Sequence, residues 1–244
     1  MKVFKFGGAS VKNATAIKNA VQITQSYKGP LIVVVSAMGK TTNYLEELWS
    51  AFVKRDQKTI SKSLNKLVEF HNQLLVELFQ EQSSSAKLFN ESLSKLSNYL
   101  EKEPSENMAY EYDQIVSYGE LWSTIIFSGA LAAYKVNAKW MDARKIIRTT
   151  NHFQEARVDW HKTKDLVKST ILSAFEKDMG LKFVVTQGFI GHANSGKTTT
   201  LGREGSDFSA AILAWATSAQ QVLIWKDVPG LLNADPKEFE NTIK

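Results

Sequence analysis

The stretch VFKFGGAS, residues 3–10, predicts how this chain folds. Val3 to Phe6 is a short apolar segment that runs directly into two glycines, and an apolar pattern of helical period follows from Val11 to about Ser26. Residues 31–35, LIVVV, are apolar and mostly β-branched, and the run is short enough for a strand buried on both faces. A polar turn follows and opens another helix. Strand, glycine loop, helix and buried strand in this order predict a parallel sheet with crossover helices.

The rest of the chain alternates between helical patterns and short strands. We predict an inserted helical layer over about residues 45–134. The fold class is therefore α/β, a mostly parallel central sheet with helices on both faces and an inserted helical layer. Further strands are predicted at 135–141, 146–149, 182–186 and 221–225, and further helices at 163–176 and 206–217.

Composition narrows the class of protein. The 244 residues are 43% hydrophobic and 23% charged, as in an ordinary globular domain. We find no apolar run of membrane-spanning length and no secretory signal at the start. The chain has no cysteine, which excludes disulfides and thiolate metal sites and suits a cytoplasmic location. The net charge of +5 is mild and mixed with acidic residues, so we expect small-molecule partners rather than nucleic acid or a membrane.

One glycine-containing segment has the residue spacing of the phosphate loop of nucleotide hydrolases. Residues 191–198, GHANSGKT, have its spacing. Such a loop needs its Lys-Thr pair to open a helix, but here more threonines and two glycines follow. The better helix start is Ser206 or Asp207, about ten residues late, where either residue is a good N-cap. We predict that Lys197 is a solvent-exposed residue of a hairpin over 190–199 and that phosphates bind elsewhere.

Two other loops are better candidates for a binding site. Gly7 and Gly8 let backbone N–H groups approach a phosphate, and Lys5 precedes them by one residue. The late loop Gly202–Asp207 delivers an arginine, a hydroxyl and a carboxylate to a helix N-terminus, where an anionic ligand is favoured. The alternative is that Arg203 lies on a surface turn while Asp207 only caps the helix.

Seven motifs in order resemble the aspartokinases of the amino acid kinase superfamily. Each motif alone is modest, but the ordered set is specific and covers nearly the whole chain. The motifs are KFGGASV (5–11), VVSAMG with TTN (34–39, 41–43), SYGE (117–120), MDAR (141–144), GFIG (188–191), TTLGREGSD (199–207) and WKDVPG (225–230).

The resemblance implies an amino acid kinase or carbamate kinase-like fold and a reaction. Aspartokinases transfer the γ-phosphoryl group of ATP, with Mg²⁺, to the side-chain carboxylate of L-aspartate, giving 4-phospho-L-aspartate on the way to lysine, threonine and methionine. A carboxylate is already ionised near neutral pH, so the reaction needs no strong base. It needs positive charge and positioning that overcome the repulsion between two anions.

The resemblance also implies a role for each site residue. Lys5 would supply positive charge to the transferring group, and Asp207 would orient that lysine. Arg203 would hold the α-carboxylate of aspartate and Glu120 its ammonium group, with hydrogen bonds from Thr42 and Ser206. No metal ligand from the protein is expected. The expected ATP-binding residues are Lys5, Gly7, Gly8, Ser10, Lys226, Asp227, Leu232 and Lys237.

The chain also departs from the aspartokinase pattern. Ala9 stands where threonine is usual, Glu204 where a third glycine often occurs, and Lys226 where threonine is frequent. We expect residues 1–244 to be one catalytic region that is incomplete at its C-terminus, lacks the regulatory ACT repeats, and belongs to a homo-oligomer at full length. Two alternatives stay open: a catalytically silent amino-acid-binding module, and a related kinase that acts on another carboxylate or on a carbamate.

Overall fold

A five-stranded parallel sheet forms the centre of the protein, and its strands lie in the order Ala138–Met141, Phe183–Gln187, Leu31–Val35, Lys2–Phe6 and Val222–Trp225. This arrangement confirms the α/β prediction. The computed structural model describes residues 1–79, 83–226, 230, 233–234, 238–239 and 241–243. Its strands are β1 (Lys2–Phe6), β2 (Leu31–Val35), β3 (Ala138–Met141), β4 (Arg148–Thr149), β5 (Phe183–Gln187), β6 (Ile190–Ala193), β7 (Thr198–Thr200) and β8 (Val222–Trp225).

Helices cover both faces of this sheet. Short 3₁₀ turns lie at Gly8–Val11 and Ala143–Lys145, and a π-helical turn at Lys168–Leu172 joins two of the α-helices. The α-helices are α1 (Ala14–Ser26), α2 (Thr41–Val53), α3 (Gln57–Leu78), α4 (Ser84–Leu100), α5 (Met108–Val116), α6 (Tyr118–Ala133), α7 (Trp160–Val167), α8 (Ser173–Lys177) and α9 (Gly205–Thr217).

The hydrophobic core has two layers, one on each face of the sheet, because successive side chains of a strand point to opposite faces. Phe4 and Phe6 of β1 pack with the large helical layer formed by α1 to α6. Val3 faces the opposite side, where α7 to α9 pack. Lys5 therefore lies on the same side of the sheet as Val3 and α9. All five residues of β2 are buried, as predicted for a strand covered on both faces.

The helical layer between β2 and β3 is larger than the sequence indicated. It begins at Thr41 rather than near residue 45. Helices α5 and α6 together form a segment, Met108–Ala133, that is long and apolar enough to cross a membrane, contrary to our sequence-based expectation. Because 78% of its most apolar window is buried inside the fold, core packing accounts for this composition.

The hydrolase-like segment forms a hairpin, as predicted. Strands β6 and β7 pair antiparallel in a small sheet of order β4-β6-β7. Gly196 occupies the turn with a φ of +83°, and Lys197 is exposed beside it. Thr198 opens a strand and not a helix, so this segment lacks the helix N-terminus that a hydrolase phosphate loop requires.

Candidate active site

The glycine loop after β1 lies tightly against the turn that follows β2. A Cβ atom on Gly8 would lie 2.7 Å from the carbonyl oxygen of Ala37, which a side chain cannot tolerate. The N–H of Gly7 donates to the carbonyl of Trp225 at the end of β8, at 3.0 Å. The Ser10 hydroxyl donates to the same carbonyl, also at 3.0 Å. The loop is thus held between the carboxyl ends of β2 and β8, the edge where α/β proteins bind ligands.

Lys5 and Asp207 form an ion pair at this edge. The two atoms Lys5 Nζ and Asp207 Oδ1 are 2.6 Å apart, and Lys5 is only 4% exposed. The other oxygen of Asp207 lies 2.7 Å from Lys226 Nζ. Burial alone raises the pKa of Asp207, but the hydrogen bonds and charges of the two lysines outweigh it and hold the pKa below its usual value. Asp207 is therefore a carboxylate that orients two cations.

Glu120 is a buried residue with a hydrogen bond to one of its two carboxyl oxygens. It lies in the first turn of α6, and its Oε1 accepts a hydrogen bond from the Ala37 N–H at 3.2 Å. Its Oε2 has no hydrogen-bond partner among the described residues. Burial raises the pKa of Glu120 to about 8, against smaller opposing effects of backbone N–H groups and the charge of Lys5. An unpaired buried carboxylate oxygen is costly, so a cationic ligand group at this point would stabilise it.

One cavity of about 600 Å³ brings the predicted residues together. Arg203 is exposed at this cavity and forms no ion pair within the described ranges. Ser10 and Lys226 line an adjacent cavity of about 320 Å³ on the other side of the glycine loop. Asp227, Leu232 and Lys237 lie outside the residues that the structure describes. The predicted residues that line the main cavity are Lys5, Gly8, Thr42, Glu120, Arg203, Ser206 and Asp207.

The start of α9 corrects the sequence prediction. Neither Ser206 nor Asp207 is the N-cap, because the helix already begins at Gly205. The residue before it, Glu204, adopts the left-handed conformation with φ 55° and ψ 22°, and its side chain makes no capping hydrogen bond. Asp207 therefore lies in the first turn of α9, where its carboxylate forms ion pairs with Lys5 and Lys226 and does not cap the helix.

Asp113 anchors the start of the loop Gly202–Asp207, which we call the Arg203 loop. The sequence analysis did not predict this role. This buried residue of α5 accepts hydrogen bonds from the Thr200 N–H at 2.9 Å, the Thr200 hydroxyl at 2.7 Å and the Gln154 N–H at 3.0 Å. Burial raises its pKa to about 6, with these hydrogen bonds opposing the shift. Thr200 precedes the Arg203 loop by two residues, so Asp113 fixes where that loop leaves β7.

Other cavity-lining residues also escaped the sequence analysis. Tyr112, Gln154 and Phe189 line the cavity from α5 and from two loops. A signal for Asp113 existed, since it is an acidic residue on the buried face of an amphipathic helix. No comparable signal in the sequence distinguishes Gln154.

Gly188 allows Ser206 to approach the end of β5. A Cβ atom on Gly188 would lie 2.5 Å from Ser206 Cβ and 2.7 Å from Ser206 Cα. We expect Gly188→Ala to lower the free energy of unfolding by about 1–3 kcal/mol through this overpacking, measured by urea denaturation. Gly180→Ala is the control, because a Cβ there would lie 3.2 Å from Asp178 Oδ1 and 3.3 Å from Asn137 Nδ2, at the ends of exposed side chains. Equal stability of the Gly188 variant and the wild type would contradict the packing argument.

The comparisons with known proteins agree with this geometry. A sequence model described as the amino acid kinase family matches residues 1–244, the whole chain. The chain belongs to the amino acid kinase family. The mostly parallel sheet with helices on both faces is thus the fold of a member of this family.

Curated relatives of this amino acid kinase chain are aspartokinases. Lysine-sensitive aspartokinase 3 of Escherichia coli K12 is 34% identical over 242 residues, which cover 96% of the chain and 51% of that protein. The aspartokinase of Chlamydia trachomatis is 33% identical over 243 residues, which cover 98% of the chain and 52% of that protein. The chain spans about half the length of these relatives.

A solved structure is similar over almost the whole chain. The E. coli aspartokinase III complex with aspartate and ADP, described as the R-state, superposes with a TM-score of 0.91 at 33% identity. It covers 99% of this chain, which in turn covers 52% of that protein. The fold of this amino acid kinase chain is therefore that of the corresponding half of aspartokinase III.

Proposed function

We propose that this amino acid kinase chain transfers the γ-phosphoryl group of ATP to the side-chain carboxylate of L-aspartate, giving 4-phospho-L-aspartate. The observation that carries the proposal is the cavity lined by the Lys5–Asp207 ion pair, the Arg203 side chain and a buried Glu120 oxygen that has no partner among the described residues. The similarity to a protein crystallised with aspartate and ADP supports it. We also propose that this reaction is the first step of lysine, threonine and methionine synthesis and that the full-length protein is a homo-oligomer.

Recognition of aspartate needs one cationic and one anionic partner at the amino acid end of the substrate. Arg203 offers a planar fork suited to the α-carboxylate, and Glu120 Oε2 accepts from the ammonium group. Thr42 in the first turn of α2 and the buried Ser206 supply hydroxyl hydrogen bonds. This arrangement leaves the side-chain carboxylate of aspartate to approach Lys5.

Phosphoryl transfer then depends on charge and position. The attacking carboxylate is already ionised, so none of the cavity residues has to remove a proton from it. Lys5 Nζ, which Asp207 holds, stabilises the negative charge that spreads over the oxygens of the transferring group. The N–H of Gly8 is proposed to contact the phosphates of ATP, whereas the N–H predicted to do so on Gly7 already donates to the Trp225 carbonyl.

The nucleotide is proposed to bind at the glycine loop and to contact Ser10 and Lys226; contacts with Asp227, Leu232 and Lys237 stay a prediction from the resemblance. Among the residues that the structure describes, no group of three or more His, Cys, Asp or Glu side chains could hold a metal ion. We propose that Mg²⁺ is bound chiefly by the phosphates of ATP, as is common for this ion, where it would neutralise phosphate charge.

The raised pKa of Glu120 makes aspartate binding depend on pH. With a pKa of about 8 without ligand, Glu120 is mostly protonated at pH 7, yet the substrate ammonium requires the carboxylate. Binding must then release a proton, so the affinity rises by about tenfold per pH unit below pH 8 and levels off above it. Titration calorimetry in two buffers of different ionisation enthalpy measures the released proton.

Glu120→Gln is the control for this prediction. Glutamine keeps an acceptor oxygen but does not titrate, so its weaker aspartate binding is expected to lose the pH dependence between pH 6 and 8. Aspartate affinity of the wild type that does not change over this range would contradict the role given to Glu120.

The proposed reaction is tested by trapping its product. The chain is incubated with ATP, Mg²⁺, aspartate and hydroxylamine, which converts an acyl phosphate to a hydroxamate. We expect hydroxamate with aspartate and none with ATP alone. Aspartate binding without hydroxamate would indicate a catalytically silent amino-acid-binding module, and hydroxamate only with another carboxylate would indicate a related kinase.

A further inference from the structure

Two positions that depart from the aspartokinase pattern, Glu204 and Lys226, contact each other at the glycine loop. Lys226 Nζ lies 3.0 Å from Glu204 Oε2 and 2.7 Å from Asp207 Oδ2. Lys5 holds the other Asp207 oxygen at 2.6 Å. The four residues Lys5, Asp207, Lys226 and Glu204 thus form a row of charges of alternating sign, which we call the charge row. Its two lysines share one carboxylate.

Both lysines of the charge row flank the same glycine. A Cβ atom on Gly7 would lie 3.6 Å from Lys5 Nζ and 3.7 Å from Lys226 Cγ. Since Lys226 Nζ contacts the same Asp207 carboxylate as Lys5 Nζ, a phosphate group at the glycine loop would lie near both ammonium groups. An ammonium has three N–H donors, and the two carboxylates take two of those on Lys226. The third is left for a phosphate oxygen.

Protein stability does not explain why a glutamate occupies position 204. Its backbone is in the left-handed region, with φ 55°, which glycine adopts at no steric cost and other residues adopt with strain. Its side chain is 65% exposed, and ion pairs of exposed side chains contribute little to stability. The contact that this strained residue provides is the one with Lys226.

We propose that Lys226 is a second catalytic cation beside Lys5 and that Glu204 is its positioning residue. This inference rests on the proposed phosphoryl transfer from ATP. Lys226 contacts the phosphate oxygens, whereas Glu204 acts only by holding the ammonium of Lys226 beside Asp207. Because Glu204 carries a negative charge next to the phosphates, it contributes nothing favourable to ATP binding itself.

Four variants test this pair: Lys226→Met, Glu204→Gln, both together, and Glu204→Gly. Lys226→Met is expected to lower kcat and the affinity for the Mg²⁺ complex of a non-hydrolysable ATP analogue, each by about tenfold. Glu204→Gln is expected to lower kcat by about fivefold with the ATP KM unchanged or lower. The double variant should match Lys226→Met within about twofold, because Glu204 acts through Lys226.

Glu204→Gly separates positioning from stability. It removes the backbone strain, so Tm is expected to stay equal or rise while kcat falls as in Glu204→Gln. Glu176→Gln is the control, since it removes an exposed carboxylate of α8 that lines neither cavity and forms no ion pair with Lys226 among the described residues. Its kcat and nucleotide affinity should equal those of the wild type.

The outcomes separate this inference from the proposed function. Losses that multiply in the double variant, or wild-type kcat in Glu204→Gly, would overturn the positioning role. If the wild type forms no hydroxamate with aspartate, the proposed function fails and the analogue affinity decides alone. A tenfold loss of analogue affinity in Lys226→Met then supports the contact of Lys226 with the phosphates, and wild-type affinity in that variant overturns it.

Discussion

Replacing Lys5 with methionine is expected to lower kcat by about 10³-fold while aspartate affinity stays within about threefold of the wild type. Lys5 is buried at 4% exposure, and its Nζ lies 2.6 Å from Asp207 Oδ1 beside the glycine loop. Methionine has a similar length and no charge, so the packing of β1 is retained while the cation is lost. The loss is large because few charges are placed to stabilise the transferring group, and it appears in kcat because the charge develops in the transition state.

Hydroxamate formation under saturating substrates measures this effect, and calorimetry measures aspartate affinity. Lys18→Met, on the exposed face of α1, is the matched control for loss of a lysine and should keep wild-type kinetics. A Lys5→Met variant that is folded and retains kcat within about tenfold would remove Lys5 from the chemical step.

Replacing Arg203 with alanine is expected to raise the aspartate KM by about 100-fold and to leave the ATP KM unchanged. The guanidinium lines the cavity and forms no ion pair within the described ranges, so its proposed partner is the α-carboxylate of the substrate. Arg203→Lys should recover only part of the loss, because an ammonium lacks the planar fork that binds both carboxylate oxygens.

A substrate analogue sharpens the Arg203 test. β-Alanine is aspartate without the α-carboxylate, so the wild type should strongly prefer aspartate and the alanine variant should lose most of that preference. Arg157→Ala is the control, since Arg157 is also exposed but does not line the cavity. Unchanged discrimination between aspartate and β-alanine in Arg203→Ala would place the α-carboxylate elsewhere.

Strand β2 of the main sheet could be predicted from the sequence, because a short, uniformly apolar and mostly β-branched run is typical of a strand buried on both faces. Leu31–Val35 is apolar throughout and is buried on both faces, so the observed bounds match the predicted ones. The resemblance to the aspartokinases implied that Asp207 orients Lys5, and the structure places the two charged groups in contact.

Features that depend on packing between distant segments could not be predicted. N-cap preference favoured Ser206 or Asp207, but the helix begins at Gly205, after Glu204 in the left-handed conformation, so both residues lie inside it. The role of Asp113 could not be predicted from α5 alone, because its hydrogen-bond donor, the Thr200 N–H, lies on β7. The Glu204–Lys226 contact likewise exists only because β8 pairs with β1 and brings Lys226 to the glycine loop.

The most direct test of the central claim is a crystal structure of the chain with aspartate, Mg²⁺ and a non-hydrolysable ATP analogue. The account predicts the α-carboxylate on Arg203, the ammonium group on Glu120 Oε2, and the side-chain carboxylate and γ-phosphate together at Lys5. Aspartate bound outside this cavity, or oriented with its side-chain carboxylate on Arg203, would contradict it.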